Sequence, residues 1–108
     1  MLAESSEHQP LTEAVYYILL ALHTPMHGYG IMQFTKEISN GRLSLGPGTL
    51  YGAIKTMLKK GWIQAIETEA DSRKKEYEVT TVGKKVVQDE IDRLQELVKN
   101  GNHITRGE

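Results

Sequence analysis

The stretch from Gly46 to Lys60 concentrates side chains that can offer hydrogen-bond donors or positive charge to a ligand. As a helix, it would gather its apolar residues on one side, which must then be buried: Leu50, Ile54, Met57 and Leu58. The other side would present hydroxyl and ammonium groups with no carboxylate among them: Thr49, Tyr51, Lys55, Thr56, Lys59 and Lys60. Such donors suit phosphate oxygens and base edges, so this face has the chemistry of a nucleic-acid contact.

Side chains for covalent or metal chemistry are scarce elsewhere. The chain has no cysteine, which excludes disulfides, thiolate metal sites and a cysteine nucleophile. His23 and His27 are four residues apart, but Pro25 separates them and no third ligand follows, so no metal site is predicted. The glycines between residues 46 and 52 lack the preceding strand and the Lys-Ser/Thr pair of a nucleotide-binding loop. We therefore expect neither an enzyme nor a cofactor.

Length and composition indicate one soluble domain. The 108 residues are 39% hydrophobic and 25% charged, which is ordinary for a globular protein with one modest core. The longest apolar run, Ala14 to Leu22, is too short to span a membrane, and the start of the chain lacks the basic region of a secretory signal. We expect no membrane contact and a cytoplasmic location.

The net charge of −1 conceals an uneven distribution. Residues 41–85 carry nine basic and five acidic side chains, a net charge of +4. Residues 1–40 carry a net charge of −3 and residues 86–108 a net charge of −2. A basic middle with acidic flanks favours a local DNA contact on an otherwise acidic body.

Two helices are predicted before the central one. Residues 1–10 read as a flexible lead-in, and a first helix should run from about Leu11 to His23. After the break at Thr24-Pro25, a second helix should run from about His27 to Ser39 and end at Asn40-Gly41. Its predicted inward positions are Tyr29, Ile31, Met32 and Ile38. The second and central helices together form a helix–turn–helix candidate.

A hairpin and a last helix should follow the central helix. Residues 62–68 and 75–80 are rich in β-branched and aromatic residues, and the polar residues between them should form a turn. The last helix should run from about Val82 to Asn100 and end at Gly101, leaving residues 101–108 as a flexible tail. Its apolar stripe should form a dimer interface with the first helix, through Val15, Leu19, Val87, Ile91, Leu94 and Val98.

The predicted fold is therefore mainly α with a small β-hairpin wing. A winged helix–turn–helix DNA-binding domain should occupy residues 11–80, and a C-terminal dimerisation helix should occupy residues 81–100.

Three sequence runs carry a resemblance to a known family: TPMHGYGI at 24–31, GPGTLYGAIKTMLKKGWI at 46–63 and RKKEYEVTTVG at 73–83. Together they resemble PadR-type transcriptional regulators of the short, single-domain kind, over roughly residues 11–100. The resemblance implies a winged helix–turn–helix homodimer that binds a pseudo-palindromic operator in double-stranded DNA, usually as a repressor. The DNA-contacting residues that it implies are Thr49, Tyr51, Lys55, Lys59, Arg73, Lys74 and Lys75, and we add Gly28 and Tyr29 from the HGY motif.

Several assignments have alternatives. Tyr51 could pack at the edge of the core instead of contacting DNA, and Trp62 could fill the core or line a ligand site. The whole domain could bind another protein through the exposed side of the central helix, without specific DNA binding. A small aromatic or hydrophobic effector could also bind between the first and last helices, near Tyr16 and Tyr17. The operator and the regulated genes do not follow from the sequence.

Overall fold

A computed structural model describes residues 9–67 and 75–108. In these parts of the chain the elements are α1 (Glu13–Ala21), β1 (Met26–His27), α2 (Gly28–Ile38), α3 (Pro47–Lys59), β2 (Ile63–Ile66), β3 (Glu76–Val79) and α4 (Thr81–Arg106). The predicted fold class, helices with a small antiparallel wing and a long last helix, is confirmed. Most of the predicted lead-in, residues 1–8, lies outside the described residues.

Each helix begins at a residue suited to that position. The Thr12 hydroxyl accepts from the Val15 N–H at 3.1 Å, and the Thr80 hydroxyl accepts from the Gly83 N–H at 3.1 Å. At the start of α2, Nδ1 of His27 accepts from the Gly30 N–H at 3.3 Å. The α3 helix has no side-chain cap, but Pro47 at its first position fixes a helical φ and has no N–H to leave unbonded.

The core lies between the four helices and the sheet. Its fully buried side chains come from α1, α2 and α3, and Leu22 follows α1: Ile18, Leu19, Leu22, Ile31, Leu50, Ile54 and Met57. Tyr77 and Val79 of β3 and Val87 of α4 complete it. The sequence analysis assigned the apolar stripe of the last helix to a dimer interface, but its Val87 lies in the core of the single chain.

The inward face of α2 differs from the predicted one. Tyr29 is 63% exposed and Ile38 is 43% exposed, so neither is an inward position. The buried positions are Gly28, Ile31 and Thr35, at spacings of three and four. Thr35 can be buried because its hydroxyl donates to the Met32 carbonyl oxygen at 3.1 Å, which satisfies the polar group locally. The prediction placed the buried face of α2 wrongly because it considered only hydrophobic residues, whereas this helix also buries a glycine and a threonine.

The sheet has three strands in the order β1-β3-β2 among the described residues, one more than the predicted hairpin. Strands β2 and β3 are antiparallel, with Ile63 opposite Val79 and Ile66 opposite Glu76. Strand β1 pairs with the other edge of β3, with Met26 opposite Tyr77. A strand of two residues has no periodicity to detect, so its existence depended on a distant partner. This pairing joins the start of α2 directly to the wing.

The last helix does not end at Gly101 as predicted. It continues to Arg106, and Gly107, with a φ of 75°, is its C-terminal cap. Glycine inside a helix costs about 1 kcal/mol relative to alanine, which a helix of 26 residues can tolerate. Residues 102–106 are therefore helical, in contrast to the predicted tail.

Candidate nucleic-acid interface

The exposed face of α3 carries the predicted donors. We call this face the recognition surface; its members are Thr49, Tyr51, Lys55, Thr56, Lys59 and Lys60, all of them exposed. Leu50, Ile54 and Met57 on the opposite side are no more than 2% exposed and hold the helix on the core. The predicted division of α3 into a buried and a donor-rich side is confirmed, except that Leu58 is 38% exposed.

In the described part of the chain, no carboxylate neutralises the lysines of the recognition surface. Among residues 9–67 and 75–108, Arg42 pairs with Glu13, Lys85 with Asp89, and Arg93 with Glu90. Those ion pairs leave Lys55, Lys59 and Lys60 without a carboxylate partner. Lys60 lies instead over the ring of Trp62, 5.0 Å from its centroid. Lys55 and Lys59 therefore project charge that a phosphate group can neutralise.

The backbone of α3 is open on this surface. A Cβ atom added at Gly48 or at Gly52 would meet no heavy atom within 4 Å. The chain itself therefore does not require these glycines, and their Cα atoms leave room for an approaching ligand. At the end of the helix, Gly61 has a φ of 76°, a left-handed conformation that glycine adopts without strain. The chain turns there into β2.

Tyr51 reaches from α3 to the start of α2. A Cβ atom added at Gly28 would lie 2.7 Å from Cζ of Tyr51 and closer still to its hydroxyl oxygen. Gly28 is itself buried, so its assignment as a DNA contact is wrong: the Tyr51 ring covers it. Burial, and secondarily the neighbouring Tyr51, raise the pKa of Tyr77 on β3. The sequence interpretation gave packing of Tyr51 at the edge of the core as an alternative, but it did not identify Gly28 as the partner, because Gly28 lies on another helix.

Tyr29 is exposed on the first turn of α2, where its hydroxyl accepts from Nε2 of Gln33 at 2.8 Å. In the wing, Lys75 is exposed directly before β3. The predicted contacts Arg73 and Lys74 lie outside the described residues. Both side chains are therefore accessible to solvent, which a DNA contact at Tyr29 and at Lys75 requires.

The predicted dimer residues fall into two groups. Leu19 is 0% exposed and Val87 is 4% exposed, so both pack inside the single chain and have almost no surface for a partner. That part of the prediction is wrong because α1 and α4 already contact each other within one chain. Leu94 is 36% exposed and Val98 is 61% exposed, while Val15 and Ile91 are partly buried. Of the six predicted residues, these four have surface that a partner could cover.

A groove of about 530 Å³ runs along α4 beside α1. It is lined by Tyr16, Ile91, Leu94, Gln95, Val98, Lys99, Asn102 and Glu108. Tyr16, which sequence reasoning placed near this seam, is part of the lining, whereas Tyr17 is not. Asn102 was missed because the helix was expected to end before it.

Above this groove, α4 is tied to the start of α1. Glu90 is only 2% exposed, and its carboxylate accepts from Nε and Nη2 of Arg93 at 2.9 and 2.7 Å. It also accepts from the Leu11 N–H at 3.4 Å. The hydrogen bonds that Arg93 donates to Glu90 raise the pKa of Arg93. These bonds fix the first half of α4 against the body of the protein.

Other kinds of site find no support in the described part of the chain. No group of three or more histidine and acidic side chains lies close enough there to hold a metal ion. His23 donates or accepts locally, with Nδ1 2.9 Å from the Leu19 carbonyl oxygen, and His27 caps α2. Within the same residues, no helix is both long and apolar enough to cross a membrane.

A family model and two of the similar solved structures indicate one family. A family model, the transcriptional regulator PadR-like family, matches residues 17–89. A PadR-like transcription factor from Bacteroides fragilis is 26% identical, with a TM-score of 0.68 over 84% of this chain and 88% of that chain. A PadR family transcription regulator from Clostridium difficile is 24% identical, with a TM-score of 0.71 over 86% and 98% of the two chains.

A third similar structure concerns regulation of DNA binding of Bordetella bronchiseptica BpsR by 6-hydroxynicotinic acid. It is 18% identical, with a TM-score of 0.67 over 93% of this chain and 74% of that chain, so the likeness shows the fold alone. Among curated proteins no match was found.

Proposed function

The chain belongs to the PadR-like family of DNA-binding transcriptional regulators, and from this premise we propose that it acts as a homodimeric repressor on a pseudo-palindromic operator. The observation that supports this most is the recognition surface, an exposed and acid-free face on a helix whose other face is fixed in the core. Thr49, Lys55 and Lys59 are the proposed contacts on α3.

The helix geometry suits a major groove. The groove is about 12 Å wide and accepts one α-helix. With α3 in the groove, the wing would follow the neighbouring phosphates, where Lys75 supplies charge. Tyr29, at the exposed start of α2, is a further proposed DNA contact.

The proposal requires two copies. A single α3 reads one half-site, whereas a dimer with its two α3 helices about 34 Å apart reads two successive major grooves. The surface proposed for pairing is the exposed apolar side of α4 at Leu94 and Val98, bordered by Ile91 and Val15. Apolar side chains that stay exposed on a helix become favourable to bury when a partner covers them.

The proposal extends to release by a small aromatic or hydrophobic effector. The groove of about 530 Å³ has the size of a small-molecule site, and Tyr16, Ile91 and Val98 give it an apolar wall. The groove shares Ile91, Leu94 and Val98 with the proposed dimer surface, so an occupant would compete with the partner copy or change its orientation. The Bordetella protein, whose DNA binding is regulated by 6-hydroxynicotinic acid, makes a panel of aromatic acids a reasonable first choice of compounds.

The test is a footprint of the protein on the DNA upstream of its own gene and its neighbours, repeated over a range of salt concentrations. A specific dimer should protect two half-sites about one duplex turn apart and bind less tightly as salt rises. Adding the aromatic acids should weaken the protection if one of them is an effector. A reporter gene placed behind the protected site should be expressed less when the protein is present.

A matched pair of variants connects the footprint to the recognition surface. Lys59→Ala should reduce the slope of log affinity against log salt by about 0.9, because one phosphate contact is lost. Lys85→Ala removes the same charge from α4, where Lys85 pairs with Asp89 at 3.0 Å, and should leave the slope unchanged. Equal slopes for the two variants would remove Lys59 from the proposed contacts, and no footprint at any salt concentration would instead favour a domain that binds another protein.

A further inference from the structure

Tyr51 differs from the other members of the recognition surface in what its side chain touches. Thr49, Lys55 and Lys59 are exposed and make no hydrogen bond or ion pair among the described residues. The Tyr51 ring, although 47% exposed, lies against Gly28 at the first position of α2. The space that a Gly28 side chain would need is already occupied by that ring. With Tyr51 in this position, residue 28 has no room for a side chain.

The same ring is near the wing. Tyr77 on β3 is 8% exposed, and its pKa is raised first by burial and then by the neighbouring Tyr51. Strand β1 ends at His27, directly before Gly28, and pairs with β3 so that Met26 lies opposite Tyr77. Tyr51 thus stands where the recognition helix, the start of α2 and the wing strand meet.

We propose that Tyr51 is a positioning residue, which sets the angle of α3 against the corner formed by Gly28 and β3, instead of contacting DNA through its hydroxyl group. This proposal rests on the proposed function, because the angle matters only if α3 enters a groove. Within the described residues the Tyr51 hydroxyl has no hydrogen-bond partner, so the contact with Gly28 is steric. The ring carries the effect, and the hydroxyl is dispensable.

Position 28 then requires glycine because the Tyr51 ring occupies the space of a side chain, and not because of its backbone conformation. Gly28 has no positive φ, so an alanine could adopt the same helical conformation. Alanine should therefore be tolerated at position 28 once the ring is removed. In the presence of the ring, alanine must displace the outer end of Tyr51 and so remove the contact by which the ring positions α3.

The experiment is a double-mutant cycle with Gly28→Ala, Tyr51→Ala and both together, plus Tyr51→Phe. Operator affinity is measured for each folded variant, with the melting temperature and the salt slope. We expect each single alanine variant to bind the operator about tenfold more weakly, within the range for coupled neighbours. The double variant should bind as Tyr51→Ala does, Tyr51→Phe should bind as the wild type does, and the salt slope should stay constant in all four.

The outcomes separate the proposal from the function on which it rests. If Tyr51→Phe binds as weakly as Tyr51→Ala while Gly28→Ala binds normally, the hydroxyl contacts DNA and the positioning role is refuted. If the alanine variants melt earlier but bind normally when folded, the contact serves stability alone and the proposal is again refuted. If the wild-type protein itself has no operator, the proposed function fails and this proposal fails with it.

Discussion

The two halves of α4 share one helix but have opposite environments. In the first half, Gly83, Val87 and Glu90 are buried, and a Cβ atom added at Gly83 would collide with the carbonyl group of Trp62. In the second half the apolar residues are exposed: Leu94 at 36%, Leu97 at 52%, Val98 at 61% and Ile104 at 80%. The first half belongs to the core of one chain, and the second half projects from it.

One continuous apolar stripe can therefore have two environments, with one part packed in the core and the other part exposed to solvent. Burial of the first half contributes to the stability of the single chain, at about 25 cal/mol per Å² of apolar surface removed from water. The second half gains less of this contribution within one chain and leaves more apolar surface available for a partner. Variants in the first half should therefore change stability, and variants in the second half should change association.

The largest effect is expected from Leu94→Glu in the second half. A carboxylate at a position that a partner buries should abolish the dimer, because its desolvation is not compensated. Loss of bivalent binding should then weaken operator binding by a factor of about 100 or more. Sedimentation gives the mass in solution, and a binding titration gives the affinity.

Asn100→Glu is the matched control for this variant. It adds the same charge to α4 about 120° around the helix from Leu94, at an exposed residue. It should leave both the mass and the affinity close to wild type. A dimer that survives Leu94→Glu, or that is lost equally in both variants, would contradict the division of α4 into two halves.

A smaller effect is expected from Gly83→Ala in the first half. The added methyl group must displace the Trp62 carbonyl group, which is backbone and cannot rotate away, and Val79 is also within its reach. Overpacking of this kind costs about 1–3 kcal/mol of unfolding free energy. Chemical denaturation at a fixed protein concentration measures it. An unchanged midpoint would show that the joint between the wing and α4 is looser than the structure indicates.

The smallest effect, with the opposite sign, is expected from Gly101→Ala in the second half. Nothing lies within 4 Å of the added methyl group, and alanine favours the helix over glycine by about 0.5–1 kcal/mol. The melting temperature should therefore rise slightly. If instead it fell, and fell more at high protein concentration, the helices of two copies would be shown to approach closely at Gly101.

Much of the fold followed from local patterns in the sequence. The bounds of α3 came from Pro47 and Gly61, and its two faces came from the spacing of Leu50, Ile54 and Met57. The wing strands followed from alternation and β-branched residues. Such features depend on neighbours in the sequence, so they could be predicted without knowing the tertiary contacts.

One error was local, because Gly101 was interpreted as the end of α4, which continues to Arg106. The other errors involve partners distant in the sequence. Strand β1 exists because β3 offers it an edge, and Tyr29 is exposed because α2 packs through Thr35 instead. Leu19 and Val87 looked like dimer residues because an apolar stripe does not reveal which surface will cover it. Gly28 looked like a DNA contact because its cover, the Tyr51 ring, comes from another helix.

The amino-acid sequence by itself determined the type and order of the elements and the presence of a donor-rich, acid-free face on α3. These depend on backbone preference and on residue spacing, which are properties of short segments. Only the tertiary structure decided which apolar residues are buried within the single chain and which stay exposed. It also decided that Tyr51 of the recognition surface packs against another helix of the same chain. Tertiary packing decides this because each surface can be covered by only one other segment, and that segment can come from any part of the chain.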